Sequence, residues 1–110
     1  MLIHLALFRW HKHVGDDEVA EILDQMRSLR TSIPEIVDLY CGENFSAANE
    51  GYSHAVVVTL PDRAALESYR NHPSHIALRD RMTGVYAAVL GGDFEDGDSD
   101  EPGSRPTALL

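Results

Sequence analysis

The chain has 110 residues, which is the size of one domain and excludes a large modular enzyme. Hydrophobic residues make up 44% of it and charged residues 25%, close to the composition of folded globular proteins. The formal net charge of -9 disfavours binding to nucleic acid and to anionic membrane surfaces, because both carry negative charge.

The first half of the sequence predicts a strand, a helix and a second strand. Residues 2–9 form a short apolar run bounded by a polar segment, which is typical of a buried strand. An acidic start at residues 16–18 then precedes a helix that ends before Pro34. Its apolar residues recur at helical spacing: Val19, Ile22, Leu23, Met26, Leu29 and Ile33. Residues 36–41 predict the second strand.

The second half predicts a strand and an interrupted helix. Residues 55–60 are rich in β-branched side chains and predict a strand. Residues 61–71 then predict a helix that breaks at Pro73, because proline lacks the backbone donor that a helix interior needs. After the break, Ser74 is the candidate cap of a further helical run that extends to Tyr86.

The last strand completes a recognisable order of elements. Residues 87–94 predict this strand, and the order β-α-β-β-α-β is that of a ferredoxin-like α+β fold, assigned to residues 1–95. Residues 96–110 carry four acidic side chains, one arginine and no apolar period. They predict an acidic, flexible C-terminal tail, because such a segment buries too little apolar surface to offset its ordering entropy.

The hydrophobic pattern of the strands predicts a homodimer. The first and third predicted strands contain contiguous apolar runs, whereas a sheet that is covered on one face should alternate apolar and polar residues. Two helices cover one face, and nothing else in the chain is left to cover the other. We therefore expect two copies to pack sheet to sheet as a dimeric α/β barrel.

Cysteine content and hydropathy bear on the compartment. Cys41 is the only cysteine, which excludes an internal disulfide and agrees with a reducing environment. No apolar run approaches the ~20 residues that a membrane span requires, and the N-terminus does not resemble a signal peptide. We expect a cytoplasmic protein with no membrane or nucleic-acid partner.

Two histidines occupy otherwise apolar strand faces. His4 shares a face with Phe8, and His54 shares a face with Val56, because alternate residues of a strand point the same way. Either ring could be a core histidine that hydrogen-bonds to the backbone. Two such rings on neighbouring strands instead predict a shared cavity, although antiparallel pairing puts them near opposite strand ends. His4, His54, Phe8 and Val56 are therefore candidate substrate-binding residues.

Tyr69 and His75 are the candidate catalytic pair. The break at Pro73 places His75 at a helix start, where the positive end of the helix dipole disfavours the imidazolium form. A neutral histidine can remove a proton α to a carbonyl, and a tyrosine hydroxyl can stabilise the resulting enolate oxygen. The alternative is that the two side chains satisfy each other within the core.

Four segments of the chain resemble the stress-responsive dimeric α/β-barrel (Dabb) family in order and spacing. They are residues 3–8, 42–46, 51–55 and 66–75, and the last contains a His-Pro-x-His element that is distinctive for the family. The resemblance extends over about residues 1–95 and implies a ferredoxin-like subunit that dimerises through its sheet. The chain is similar to members of this family that are polyketide cyclases of the olivetolic acid cyclase type, which perform an intramolecular aldol condensation.

The resemblance also implies roles for individual residues. The acid–base residues of the cyclases correspond to Tyr69 and His75, and further pocket histidines correspond to His4 and His54. The acidic tail is a departure from the family pattern. Because many members have no known reaction, the resemblance does not by itself assign an activity.

Three functions remain as hypotheses. The first is a small enzyme without cofactor or metal that performs aldol cyclase or proton-transfer chemistry on a hydrophobic, polyketide-like carbonyl compound. The second is a non-catalytic stress-response protein that binds a small hydrophobic ligand in the same cavity. The third follows from related dimeric α/β-barrel folds that bind haem, in which case His75 would be an axial ligand.

Overall fold

The fold consists of four strands and three helices within residues 1–97, which are the residues that the structure, a computed structural model, describes. In chain order these are β1 (Leu2–Trp10), α1 (Asp16–Ser32), β2 (Asp38–Glu43), β3 (His54–Leu60), α2 (Arg63–Asn71), α3 (Pro73–Met82) and β4 (Tyr86–Glu95). The predicted acidic tail, apart from its first two residues, lies outside the described residues. In the described part, no helix is long and apolar enough to cross a membrane.

The strands form one antiparallel sheet in the order β2-β3-β1-β4. With the helices between the strands of the chain, this is the ferredoxin-like α+β arrangement, so the predicted fold class is confirmed. β1 lies in the centre and pairs with both β3 and β4. Side chains on β1 are therefore flanked by residues from two neighbouring strands.

Two predicted boundaries are wrong. The last helix ends at Met82 instead of extending to Tyr86, which begins β4. Between them Gly84 has a φ of 82°, a left-handed conformation that ends the helical path and that glycine adopts at little cost. The second strand begins at Asp38 and not at residue 36, because the chain after α1 first turns, with the Ile36 amide donating to the Ile33 carbonyl at 3.2 Å.

The helices cover one face of the sheet and form the core with it. Alternate residues of β1 and β3 point toward the helices and are buried: Leu2, Ala6, Phe8, Val56, Val58 and Leu60. The opposite face, which we call the open sheet face, carries apolar side chains without a helix above them. It includes Ile3, Leu5, Leu7, Val57, Tyr40, Leu90 and Phe94, of which the last three are 59%, 54% and 54% exposed. The expected apolar second face therefore exists on this sheet.

Candidate active site

A cavity of about 250 Å³ lies between the helix-covered face of the sheet and the helices. Most of its walls are apolar and come from strands and helices alike: Ala6, Phe8, Met26, Leu29, Val56, Leu78, Met82 and Val89. Polar groups converge on it from His4, Tyr69, His75, Arg79 and Tyr86. An apolar cavity with a few convergent polar groups is the usual form of a small-molecule site. Five of the six predicted site residues line it, namely Tyr69, His75, His4, Phe8 and Val56.

His75 lies in the first turn of α3 and is held in one tautomer. Its Nδ1 is 3.2 Å from the backbone oxygen of Arg70. A carbonyl oxygen only accepts hydrogen bonds, so Nδ1 carries the proton and, in the neutral ring, Nε2 has a free lone pair. Burial lowers the pKa of His75 despite this hydrogen bond, and the charges of Arg79 and Arg70 lower it further. The ring is therefore neutral at neutral pH and can act as a base.

The break between α2 and α3 orients His75. His72 caps α3, its Nδ1 accepting a hydrogen bond from the Ser74 amide at 3.1 Å. Pro73 follows at the start of the helix, where its missing N–H is not needed. The predicted cap, Ser74, is thus the donor in this contact and His72 is the cap. This geometry brings the first turn of α3, with His75, against Tyr69 at the end of α2.

Tyr69 is the most deeply buried polar residue of the cavity, with 3% of its surface exposed. Its ring centroid lies 4.5 Å from that of His75 and 5.7 Å from that of His4. Burial raises the pKa of Tyr69 to about 12, so the hydroxyl keeps its proton and can donate a hydrogen bond. Nδ1 of His75 forms its hydrogen bond with the backbone carbonyl of Arg70, so it does not need Tyr69 as a hydrogen-bond partner.

His4 is oriented by an acidic residue that the sequence did not single out. Its Nδ1 lies 2.5 Å from Oδ1 of Asp93, and the other Asp93 oxygen, Oδ2, accepts from Arg70 Nη2 at 2.7 Å. Burial alone would raise the pKa of Asp93, but the hydrogen bond and charge of His4 and the charge of Arg70 outweigh it and lower that pKa. Asp93 is therefore a carboxylate that receives the Nδ1 proton of His4.

His54 lies away from this cavity. The register of β1 and β3 places His54 opposite Phe8 and places Val58 opposite His4. The two histidines are thus separated by four residues along the sheet, or ~13 Å. The prediction that they share a cavity is wrong, because the antiparallel register carries His54 to the other end of the sheet. Sequence alternation correctly put both on one face, and their position near opposite strand ends is the one expected from antiparallel pairing.

His54 lines a second cavity of about 520 Å³, together with Trp10 and with two acidic residues, Asp16 and Glu43. Its Nδ1 accepts a hydrogen bond from Trp10 Nε1 at 2.9 Å and lies 2.9 Å from the Ser53 hydroxyl. Because an indole nitrogen only donates, Nδ1 of His54 is the unprotonated nitrogen of the neutral ring. Burial lowers the pKa of His54, although the charges of Glu43 and Asp16 oppose this.

Other reactive side chains do not extend the site. Cys41 is half-buried on β2, and burial raises the pKa of its thiol, which disfavours the nucleophilic thiolate. Within residues 1–97, no three side chains of His, Cys, Asp or Glu come close enough together to hold a metal ion. The polar chemistry of the cavity therefore comes from its histidines, tyrosines and arginine.

Comparison with known proteins supports the fold described above. Residues 2–96 match the stress responsive A/B barrel domain (Dabb) family. The chain is 26% identical over 93 residues to olivetolic acid cyclase from Cannabis sativa, an alignment that covers 83% of this chain and 92% of the cyclase.

Two solved structures are also similar. One is a dimeric ferredoxin-like protein from Thermobifida fusca, with a TM-score of 0.76 and 29% identity over 84% of this chain and 88% of that one. The other is hydroxynitrile lyase from Passiflora edulis, with a TM-score of 0.81 and 13% identity over 89% of this chain and 94% of the lyase. At that identity, the likeness to the lyase shows the fold alone.

Proposed function

The chain belongs to the stress responsive A/B barrel domain family, and we propose that it is a small enzyme that performs acid–base chemistry without a cofactor. The proposed reaction is an aldol cyclisation or another proton transfer on a hydrophobic, polyketide-like carbonyl compound. One observation carries the proposal: the free Nε2 lone pair of His75 and the protonated hydroxyl of Tyr69 belong to the same apolar cavity. The similarity to a cyclase supports it.

The proposed roles follow from the protonation states. Nε2 of His75 takes a proton from the carbon next to the substrate carbonyl. The electron pair of that C–H bond forms a carbon–carbon double bond, and the π electrons of the carbonyl move onto its oxygen to give the enolate. The hydroxyl of Tyr69 donates a hydrogen bond to this oxygen as it gains negative charge. In an aldol closure the enolate carbon then attacks a second carbonyl of the same molecule. The alkoxide formed there receives the proton from the His75 imidazolium, which restores the neutral base.

The walls of the cavity indicate the substrate class. Phe8 and Val56 are buried side chains that contact the apolar body of the bound molecule in this proposal. The volume of about 250 Å³ lies just below the range of roughly 300–1,000 Å³ for sites that hold drug-sized ligands. His4, held by Asp93, presents its second nitrogen as a further polar contact for the substrate.

The same proposal includes assembly and location. The open sheet face carries exposed Leu90, Phe94 and Tyr40, and a monomer would leave this apolar surface in water. The similar Thermobifida fusca protein is dimeric. We assign residues 1–95 to the Dabb domain, which pairs sheet to sheet as a cytoplasmic homodimer, and residues 96–110 to an acidic tail.

Hydrogen–deuterium exchange tests the chemistry without knowledge of the natural substrate. Cyclohexanone in deuterated buffer exchanges the protons next to its carbonyl, and NMR measures the rate. We expect the wild-type protein to accelerate exchange and His75→Gln to abolish the acceleration. His11→Gln, which changes an exposed histidine outside the cavity, is the matched control and should behave as wild type.

Three results would contradict parts of this proposal. Exchange that is equally fast in wild type and His75→Gln would remove His75 as the base. Saturable binding of cyclohexanone without any accelerated exchange would favour the non-catalytic ligand-binding protein. A Soret band on titration with haem that is lost in His75→Gln would favour the third hypothesis.

A further inference from the structure

Arg79 contributes a cationic group to a cavity whose walls are mainly apolar. It follows His75 by four residues in α3, and side chains at that spacing lie on one face of a helix with Cβ atoms about 5–6 Å apart. The positive charge of Arg79 acts on the His75 ring, whose pKa it helps to lower. Arg79 and the proposed base therefore line the same cavity, one helical turn apart.

Arg79 forms no ion pair with another residue of the described part of the chain. Within residues 1–97 the ion pairs use other arginines, namely Arg27, Arg30, Arg63, Arg70 and Arg81. An acidic side chain could pair with Arg79 along the helix from three or four residues away, which means from position 75, 76, 82 or 83. None of these four residues is acidic. The one acidic residue of α3 is Asp80, which is adjacent in sequence and therefore does not face Arg79 across the helix.

Arg81, in the same helix, has a structural role. Its Nη2 donates to Glu21 Oε2 at 2.8 Å and its Nη1 lies 3.4 Å from Gln25 Oε1, so it fastens α3 to α1. Arg79 has no such role in the described part of the chain and instead lines the cavity. Arg79 and Arg81 are thus two residues apart but contact different surfaces: Arg79 lines the cavity and Arg81 contacts α1.

We infer that the cavity binds a keto acid, with the substrate carboxylate on Arg79 and the ketone next to His75 and Tyr69. A guanidinium group matches a carboxylate with two parallel hydrogen bonds, and apolar walls strengthen such a charge-assisted contact. Arg79 is an exposed residue, so a carboxylate bound to it retains part of its hydration and avoids the full cost of burial. The position of the ketone rests on the proposed function, whereas the position of the carboxylate does not.

Binding of levulinate, a small keto acid, and of its uncharged methyl ester tests the inference by isothermal titration calorimetry. We expect the wild-type protein to bind levulinate about tenfold or more tightly than the ester, in line with hydrogen bonds to charged groups. Arg79→Gln should abolish this preference and leave ester binding unchanged. Arg79→Lys, which keeps the charge but loses the paired hydrogen bonds, should retain part of it. Arg81→Gln removes the same charge from the same helix and should retain all of it.

The outcomes separate this inference from the proposed function. Equal affinity for acid and ester, no saturable binding of either, or a preference that survives in Arg79→Gln would overturn the keto-acid inference. None of these results depends on His75 being a base. Conversely, the His75→Gln protein could still bind levulinate more tightly than the ester while it exchanges deuterium as fast as the wild type. This pair of results would support the keto-acid inference and refute only the proposed acid–base reaction.

Discussion

The rings of Tyr69 and His75 lie with their centroids 4.5 Å apart and tilted by 54°, although they belong to different helices. Along one uninterrupted helix, six residues correspond to a rotation of ~600°, which would point the two side chains away from each other. The break at Pro73 removes that constraint and turns α3 back so that the rings meet. The interruption of the helix is thus what creates the candidate catalytic pair.

Replacement of His75 by alanine should remove most of the turnover. If His75 is the base, kcat should fall on the order of 10²- to 10⁴-fold, because general-base catalysis contributes that much. Turnover and the melting temperature should be measured on the same sample. A folded variant with full activity would exclude the catalytic role, and a loss that merely follows unfolding would indicate a packing role.

Replacement of Tyr69 by phenylalanine should have a smaller effect. The change deletes one hydrogen bond to the developing oxyanion and leaves the buried ring in place. We expect kcat to fall by roughly tenfold, with the KM for the substrate little changed. Steady-state kinetics at neutral pH measures both constants. A Tyr69→Phe protein that loses as much activity as His75→Ala would show that the hydroxyl itself transfers a proton.

Activity should decline on the acid side because only the neutral His75 ring accepts a proton. Burial and the nearby Arg79 and Arg70 charges lower the pKa of His75 below its ordinary value of ~6.5. The acid limb of kcat/KM should therefore lie below pH ~6.5. Arg79→Gln removes one cation and should move this limb to higher pH, whereas Arg81→Gln should not. A limb that Arg79→Gln leaves in place would contradict the electrostatic coupling.

The contact between Trp10 and His54 should open in acid. Nδ1 of His54 accepts from the indole N–H, so protonation of that nitrogen places two donors against each other. Trp10 is the only tryptophan, and its fluorescence should report the change while the protein is still folded. His54→Phe should abolish this native-state transition. A transition that is unchanged in His54→Phe would assign it to another group.

The same histidine should make stability depend on pH. Burial lowers the pKa of His54 in the folded state, so the unfolded chain, with a pKa of ~6.5, binds more protons between the two values. The contribution of His54 is therefore present above pH ~6.5 and is lost as pH falls through the folded-state pKa. Urea unfolding at several pH values should show a smaller decrease for His54→Phe than for wild type.

The open sheet face should hold two copies together at low micromolar concentration. Sedimentation should give about twice the chain mass of 12.2 kDa. Leu90→Glu introduces a charge into this face and should shift the protein toward monomer or cause aggregation, because the remaining apolar surface becomes exposed. Ala64→Glu, on the exposed side of α2, is the control and should remain dimeric. A folded wild-type monomer would refute the dimer.

Local signals in the sequence were sufficient to predict the fold class and the family. Apolar periodicity, the helix break at Pro73 and β-branched runs depend on residues that are near each other in the chain, so they predicted the elements and their order. The end of α3 was missed because Gly84 acts through its backbone conformation, and the apolar pattern continues past it. Arg79 was also within reach of sequence reasoning, since it follows His75 by four residues.

The composition of the cavity depended on contacts between distant parts of the chain. The register of β1 with β4 places Asp93 opposite His4, and the register of β1 with β3 places His54 opposite Phe8. His4 and His54 therefore line two different cavities. Alternation along a strand specifies the face on which a side chain lies, but it contains no information on which residue pairs across from it. Register arises from the packing of the whole sheet, and for that reason the folded arrangement assigned the partner of each histidine.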